Sequence, residues 1–191
     1  MIKALLVASL SLLISLPSMA ADYKIDVPGM HAYVGFKIKH LGYSWLVGRF
    51  NQFDGSFSYD AAEPENSSIK VNIDLSSVDT NHAERDKHLR GKGFFDVEKY
   101  PEARFVSTAY HPTSDHEGIM EGKLTLRGVT QDVRIKVSKI GEGADPWGGY
   151  RIGFEGSAEL ALSSLNMKHA PKLGPASETV ELFLAIEGIR Q

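Results

Sequence analysis

The chain has 191 residues, of which 42% are hydrophobic, with 21 Lys and Arg against 24 Asp and Glu, and it has no cysteine. A net charge of −3 that is spread along the chain without a basic block predicts no electrostatic attraction to nucleic acid or to an anionic membrane surface. Without cysteine, disulfides and thiolate metal sites are excluded, so stability has to come from burial.

The first twenty residues are typical of an export signal. Lys3 gives a positive start, residues 4–16 are apolar, and small residues precede a predicted cut after Ala20. This apolar stretch is shorter than the roughly 20 residues that a spanning helix needs, and no later segment approaches that length. We therefore expect an exported, water-soluble mature protein whose residues 21–191 form one domain.

Apolar and polar residues alternate along most of this domain. In residues 32–38 the apolar side chains fall on one face of an extended strand and the polar ones on the other. Eight runs show this period: 32–38, 46–59, 71–75, 103–110, 117–127, 133–137, 152–162 and 180–186. The pattern predicts an all-β protein, either a closed antiparallel barrel of about eight strands or a sandwich.

The run 46–59 contains an irregularity. Up to Phe50 the apolar face takes the even-numbered positions, and from Phe53 onward it takes the odd-numbered positions. One extra residue therefore lies near Asn51 and Gln52. We interpret it as a β-bulge in one long strand, because neither proline nor a turn dipeptide interrupts the run. Two separate strands joined at this point are the alternative.

A tight turn and a short helix complete the expected elements. Gly128 can adopt a positive φ, which predicts a hairpin between the runs on either side of it. A helix is predicted where Asn81 can cap the first turn and Glu84 can return the hydrogen bond, with an Asp86–Arg90 pair inside and Gly91 at the end. We expect this helix to lie across one end of the barrel.

Alternation does not reveal which side of the wall is apolar. An outer-membrane barrel also alternates, but here charges crowd the polar faces and the terminus 189–191 lacks interface aromatics, which favours a lumen-facing apolar side. A barrel of eight strands holds packed side chains or one small ligand. Because Gly and Ala accompany aromatic residues at the inward positions, both a cavity and a solid interior stay open.

Motifs of catalysis or metal binding are weak. Ser67 and Lys70 have a Ser-x-x-Lys spacing, but in a strand they point to opposite faces. His82 and His88 stand about 240° apart on a helix, whereas helical zinc motifs use an i, i+4 spacing. We predict no metal site. Two alternatives stay open. The polar loop 79–90 could belong to an enzyme that acts on a small or lipid substrate. A barrel with a solid interior would instead fit a structural or partner-binding domain.

Seven segments together are similar to the YceI-like family, in particular its exported proteobacterial branch. These segments are 21–26, 40–45, 77–90, 100–105, 124–130, 145–149 and 173–177. The chain departs from the family pattern at Gly91 and Gly93, where a small polar and an acidic residue are expected, so a polar role for those positions is not carried over.

The resemblance implies a lipocalin-like barrel in the bacterial periplasm that binds a long polyisoprenoid, such as a prenyl quinone or its precursor. We predict a carrier without enzymatic activity, with no cofactor besides this lipid, that is a monomer or homodimer and makes transient membrane contact. From the strand phase, the expected tail contacts are Phe36, Ile38, Leu46, Phe50, Phe57, Ile135, Phe154 and Leu184. The expected head-group contacts are His40, Tyr43, Trp45, Arg85 and His88.

Overall fold

The computed structural model describes residues 20–191, so residues 1–19 of the predicted export signal lie outside the described residues. Its strands are β1 (Ala21–Ile25), β2 (Ala32–His40), β3 (Ser44–Phe50), β4 (Phe53–Tyr59), β5 (Ser68–Asp74), β6 (Val78–Asp79), β7 (Glu102–Pro112), β8 (Glu117–Leu126), β9 (Val129–Ala144), β10 (Tyr150–Ala161) and β11 (Thr179–Arg190). The described helices are α1 (Ala83–Arg90) and the 3₁₀ turns Pro64–Asn66, Leu75–Ser77, Leu162–Leu165, Ala170–Leu173 and Pro175–Ser177. Within the same range, no helix has the length and apolar character needed to cross a bilayer.

The strands form a closed antiparallel barrel with eight positions around its wall, as the sequence predicts. Strands β7 to β11 each fill one position, and three positions are shared by successive segments: β1 with β2, β3 with β4, and β5 with β6. Neighbouring positions follow the chain order, and β11 closes the barrel by pairing with both β1 and β2. Closure leaves few open sheet edges.

The two ends of the barrel carry different connections. We call the "helix end" the one with α1 and the segments 41–43, 127–128 and 162–178. We call the "loop end" the one with the connections 60–67, 113–116 and 145–149.

Side-chain burial follows the predicted alternation. On β9, Val133 and Ile135 are buried, whereas Arg134 and Lys136 are exposed. The apolar face therefore turns inward and the charged face turns outward, as expected when burial of apolar surface drives folding.

The irregularity in the run 46–59 is a break between two strands, so the interpretation as a bulge in one strand is wrong. β3 ends at Phe50 and β4 begins at Phe53. Opposite the two intervening residues, the partner segment has four, residues 74–77. Backbone hydrogen bonds still join the segments, from Asn51 N to Ser77 O at 3.2 Å and from Asp74 N to Gln52 O at 3.0 Å. The extra length thus lies mainly on the partner, which the alternation of one strand does not reveal.

The hairpin at Gly128 is confirmed. Arg127 and Gly128 have φ values of 52° and 75° and connect β8 to β9 directly. Two successive positive φ values define a two-residue turn whose twist matches that of the paired strands.

The predicted helix is present, but its capping residue is wrong by one position. Asn81 has a φ of 59° and stands before the cap, whereas the His82 ring accepts a hydrogen bond from Arg85 N at 3.2 Å. Asp86 does not pair with Arg90, because its carboxylate is buried against Thr80. Gly91 ends the helix, as predicted.

Two clusters of buried side chains fill most of the barrel. The larger cluster lies towards the helix end and contains buried residues of β6 to β11 together with Phe94 and Phe95. The smaller cluster surrounds Tyr23 and Ile25 on β1. Inward glycines do not by themselves leave space, because the Phe36 ring occupies the position that a Cβ of Gly48 would need.

Candidate functional site: an apolar cavity in the barrel

The barrel encloses an apolar cavity of about 80 Å³. Its lining comes from seven strands, β4, β5 and β7 to β11, and from Ser67 just before β5: Phe57, Ser58, Tyr59, Ser67, Ser68, Ile69, Tyr110, Met120, Ile135, Val137, Phe154, Glu155, Gly156, Leu184 and Ile186. Most of these side chains are aliphatic or aromatic, as in sites that bind apolar ligands.

Aromatic rings form one wall of this cavity. The Phe154 ring makes edge-to-face contacts with Phe57 and Tyr59, at centroid distances of 5.8 and 5.5 Å. On another side, a Cβ at Gly156 would lie 3.1 Å from Ile135 and 3.3 Å from Leu184, so any larger residue would reduce the space. Burial raises the pKa of the Tyr110 hydroxyl above its ordinary value, so this group is uncharged in the cavity wall.

One polar atom at the loop end of the cavity is unsatisfied. The Ser67 hydroxyl is buried and has no hydrogen-bond partner among the described residues. A buried hydroxyl without a partner costs about 1–3 kcal/mol, so a ligand oxygen beside it would recover that cost. Sequence reasoning did not single out Ser67 for this site, because the only signal noted there was the Ser-x-x-Lys spacing.

The expected tail contacts separate into two groups. Phe57, Ile135, Phe154 and Leu184 line the cavity. The others do not: Phe36, Ile38 and Phe50 pack against the larger core cluster, and Leu46 is half-buried on β3 outside both clusters of the described chain.

The five expected head-group residues lie at the helix end, and none of them lines the cavity. His40 and Tyr43 are exposed at the β2–β3 turn, and Trp45 lies beneath Lys37 Nζ at 4.4 Å from its ring centroid. Arg85 donates from Nε to Thr80 Oγ1 at 2.7 Å, which commits its guanidinium to holding α1.

His88 stacks on His169 at a centroid distance of 5.8 Å and meets the edge of the Phe94 ring. The pKa of His169 is lowered, first by the positive charge of Lys172 and then by burial. The predicted residues of α1 therefore contact other parts of the helix end and not the lumen.

Asp86 anchors α1 to the barrel. Its Oδ1 accepts hydrogen bonds from Thr80 N at 2.9 Å and from Thr80 Oγ1 at 2.5 Å. Because removal would leave buried donors unpaired, we expect Asp86→Ala to lower the free energy of unfolding by about 2 kcal/mol in urea titrations. The exposed neighbour Glu84 is the control, and Glu84→Ala should change stability by less than about 0.5 kcal/mol. Equal losses in the two variants would contradict this role.

A network of ion pairs lies where β1, β10 and β11 meet. Arg151 Nη1 is 2.6 Å from both Asp26 Oδ2 and Glu187 Oε1, and Arg151 Nε is 2.9 Å from Asp145 Oδ2. His31 Nδ1 adds a contact of 2.9 Å to Asp26. Asp26, His31 and Glu187 place ligand atoms within 4.8 Å of one another, but the guanidinium already supplies the cation between the carboxylates.

The network makes stability depend on pH. Hydrogen bonds from Arg151, and then from His31, lower the pKa of Asp26 from 3.8 to about 2. A lowered folded-state pKa stabilises the protein above the unfolded value, and this contribution is lost as the pH falls from about 4 to about 2. We expect urea titrations to show this loss, and Asp26→Asn to reduce its steepness. An unchanged pH profile in Asp26→Asn would contradict the assignment.

Comparison with known proteins agrees with this geometry. The model of the YceI-like domain family matches residues 23–188. A UPF0312 protein of Pseudomonas aeruginosa strain LESB58 is 59% identical over 174 residues, which are 91% of this chain and 90% of that protein. A UPF0312 protein of Photorhabdus laumondii is 50% identical over 97% of this chain and 95% of its own length.

Solved structures show the same fold. Burkholderia cenocepacia BcnA has a TM-score of 0.76 at 24% identity, over 85% of this chain and 98% of its own. The Campylobacter jejuni YceI protein has a TM-score of 0.73 at 28% identity, over 81% and 90%. A polyisoprenoid-binding domain from Saccharophagus degradans has a TM-score of 0.63 at 16% identity, over 88% and 98%. The described barrel and these matches establish that the chain belongs to the YceI-like family.

Proposed function

We propose that this chain is a periplasmic carrier that holds a long polyisoprenoid lipid, such as a prenyl quinone or its precursor, inside its barrel. The observation that carries the proposal is the apolar cavity in the barrel, whose wall contains four of the expected tail contacts. Membership of the YceI-like family supports it, as does the shared fold with a domain described as polyisoprenoid-binding. Residues 1–20 would direct export and be removed after Ala20.

A long tail requires the interior to rearrange. A cavity of 150 Å³ accommodates benzene, so the cavity of about 80 Å³ is too small for one complete isoprene unit. Burying such a unit yields on the order of 4 kcal/mol, which would favour a state in which the Phe57, Tyr59 and Phe154 rings move aside. Further units would enter the region now filled by the larger core cluster, so the extent of opening would set the tail length that fits.

We place the oxygen-bearing head group beside Ser67. In Ser67→Ala the hydrogen bond is lost, and we expect uptake of a long-chain ubiquinone to weaken about fivefold. The lipid-free variant should be more stable by about 1 kcal/mol, because a buried hydroxyl without a partner is removed. The control is Ser157→Ala on the exposed face of β10. Unchanged affinity in Ser67→Ala would place the head group elsewhere.

The decisive experiment is native mass spectrometry, with organic extraction, of the protein purified from its own host. The expected result is a bound isoprenoid lipid, or uptake of ubiquinone when the lipid-free protein is offered it. Carriage needs no chemical step, so the recovered lipid should be unmodified. A lipid-free protein that also takes up no ubiquinone would overturn the proposal, and a consistently altered lipid would favour an enzyme.

A further inference from the structure

Two basic segments that are far apart in the sequence lie next to each other at the helix end. Residues 87–95 and 160–177 contain no acidic residue, and their five basic residues are Lys87, Arg90, Lys92, Lys168 and Lys172. Two exposed acidic residues of this end, Glu84 and Glu178, lie just outside these two segments. None of the five forms an ion pair with another residue of the described chain. Four of them are exposed, and Arg90 is half-buried.

Direct contacts hold these two basic segments side by side. The side chain of Arg127 is only 4% exposed, and it donates to the carbonyl oxygens of Lys92 and Asn166. His169 N donates to Gly93 O at 3.0 Å, and a Cβ at Gly93 would collide with the His169 ring. Bringing like charges together costs free energy unless an anion faces them, so this arrangement points to an anionic partner.

An apolar hairpin tip stands at the same end. Leu41 is 54% exposed and Tyr43 is 87% exposed at the β2–β3 turn. The turn is held against the segment 162–178, because Ser177 Oγ donates to Lys39 O at 2.5 Å. Tyrosine beside lysines is the composition that favours the interface between lipid head groups and acyl chains.

We propose that the helix end is a docking surface for an anionic phospholipid bilayer, with the five basic residues facing the head groups and Leu41 and Tyr43 entering the interface. Since the chain carries 24 acidic and 21 basic residues, the rest of the surface is acidic and is repelled by the same membrane. The net charge alone predicts no attraction to an anionic membrane, but this local cluster of basic residues would orient the barrel with its helix end towards the bilayer. This surface does not depend on what the cavity holds.

The test is flotation of the mature protein with phosphatidylcholine vesicles containing about one third phosphatidylglycerol, at low salt and without isoprenoid. We expect binding to these vesicles and none to pure phosphatidylcholine. The triple variant K87E/K92E/K172E should bind at least about a hundredfold more weakly, because each lysine near the surface contributes about fivefold and each introduced carboxylate is repelled by the bilayer. Tyr43→Ala should bind about tenfold more weakly.

Two controls separate a local surface from net charge. K24E/K70E/K136E changes the net charge equally but alters exposed lysines along the barrel wall, and it should bind like the parent protein. Trp147→Ala removes an aromatic residue that is 76% exposed at the loop end, and it should also bind normally. The proposal is overturned if the parent protein ignores anionic vesicles, if both triple variants lose binding equally, or if the surface binds duplex DNA instead of vesicles. Circular dichroism confirms that each variant is folded.

Discussion

Val137→Phe should abolish uptake of a long-chain ubiquinone. Val137 lines the cavity on β9, and a phenyl ring there more than fills a space of about 80 Å³. If the ring excludes one isoprene unit, about 4 kcal/mol of binding free energy is lost, which is about a thousandfold in affinity. Titration with ubiquinone followed by native mass spectrometry measures the effect.

The matched control is Val106→Phe. Val106 lies on the outer face of β7 and is 38% exposed, so its replacement adds the same ring outside the lumen. We expect its affinity for ubiquinone to equal that of the parent protein. Near-ultraviolet circular dichroism tests that Val137→Phe keeps its packed interior, since overpacking costs about 1–3 kcal/mol. A folded Val137→Phe variant with normal uptake would exclude this cavity as the entry point of the tail.

The strands of the barrel wall were predictable because the pattern that identifies each of them lies within a single short segment of the sequence. Alternation along β9 and β11 reports which side chains face inward, and it needs no knowledge of partner strands. The turn at Arg127 and Gly128 was equally local. The break between Phe50 and Phe53 was located correctly but interpreted wrongly, because the four residues 74–77 opposite it belong to another part of the chain.

The filling of the lumen was not predictable from the same pattern. Phase shows that Phe36 and Phe154 both point inward, but it does not show that the Phe36 ring covers Gly48 while Phe154 borders open space. Packing depends on which rings meet across the barrel, and those contacts join residues that are distant in sequence. Ser67 was overlooked for the same reason, since a serine just before a strand gives no sign in the sequence that its hydroxyl is buried without a partner.

The residues predicted to contact the head group do not line the cavity, and the reason is different. His40, Tyr43 and Trp45 were predicted to lie near a strand opening, and they do lie together at one end of the barrel. The cavity reaches towards the opposite end of the barrel, where Ser67 and Tyr110 lie. The sequence identified residues that lie together at the helix end, but only the strand register shows that the cavity lies towards the other end of the barrel.

Arg151→Met should produce the largest loss of stability among single substitutions in the network. Its guanidinium contacts Asp26, Asp145 and Glu187 at 2.6–2.9 Å, and the Asp26 side chain is only 6% exposed. Removing the guanidinium leaves two buried carboxylates, those of Asp26 and Asp145, without their arginine partner, which costs about 3–5 kcal/mol. These contacts tie β1 to β10 and β11, so we also expect faster amide hydrogen exchange in β1.

Arg134→Met is the matched control for this prediction. Arg134 on β9 contacts Glu121 at 3.5 Å, but its side chain is 71% exposed. Exposed ion pairs contribute about 0–1 kcal/mol, because solvent and salt screen them. Urea titrations at neutral pH should therefore separate the two variants by about 3 kcal/mol, and raising the salt concentration should not remove the difference. If both arginines cost the same, closure of the barrel would depend on backbone pairing of β1 with β11 and not on the charges gathered around Arg151.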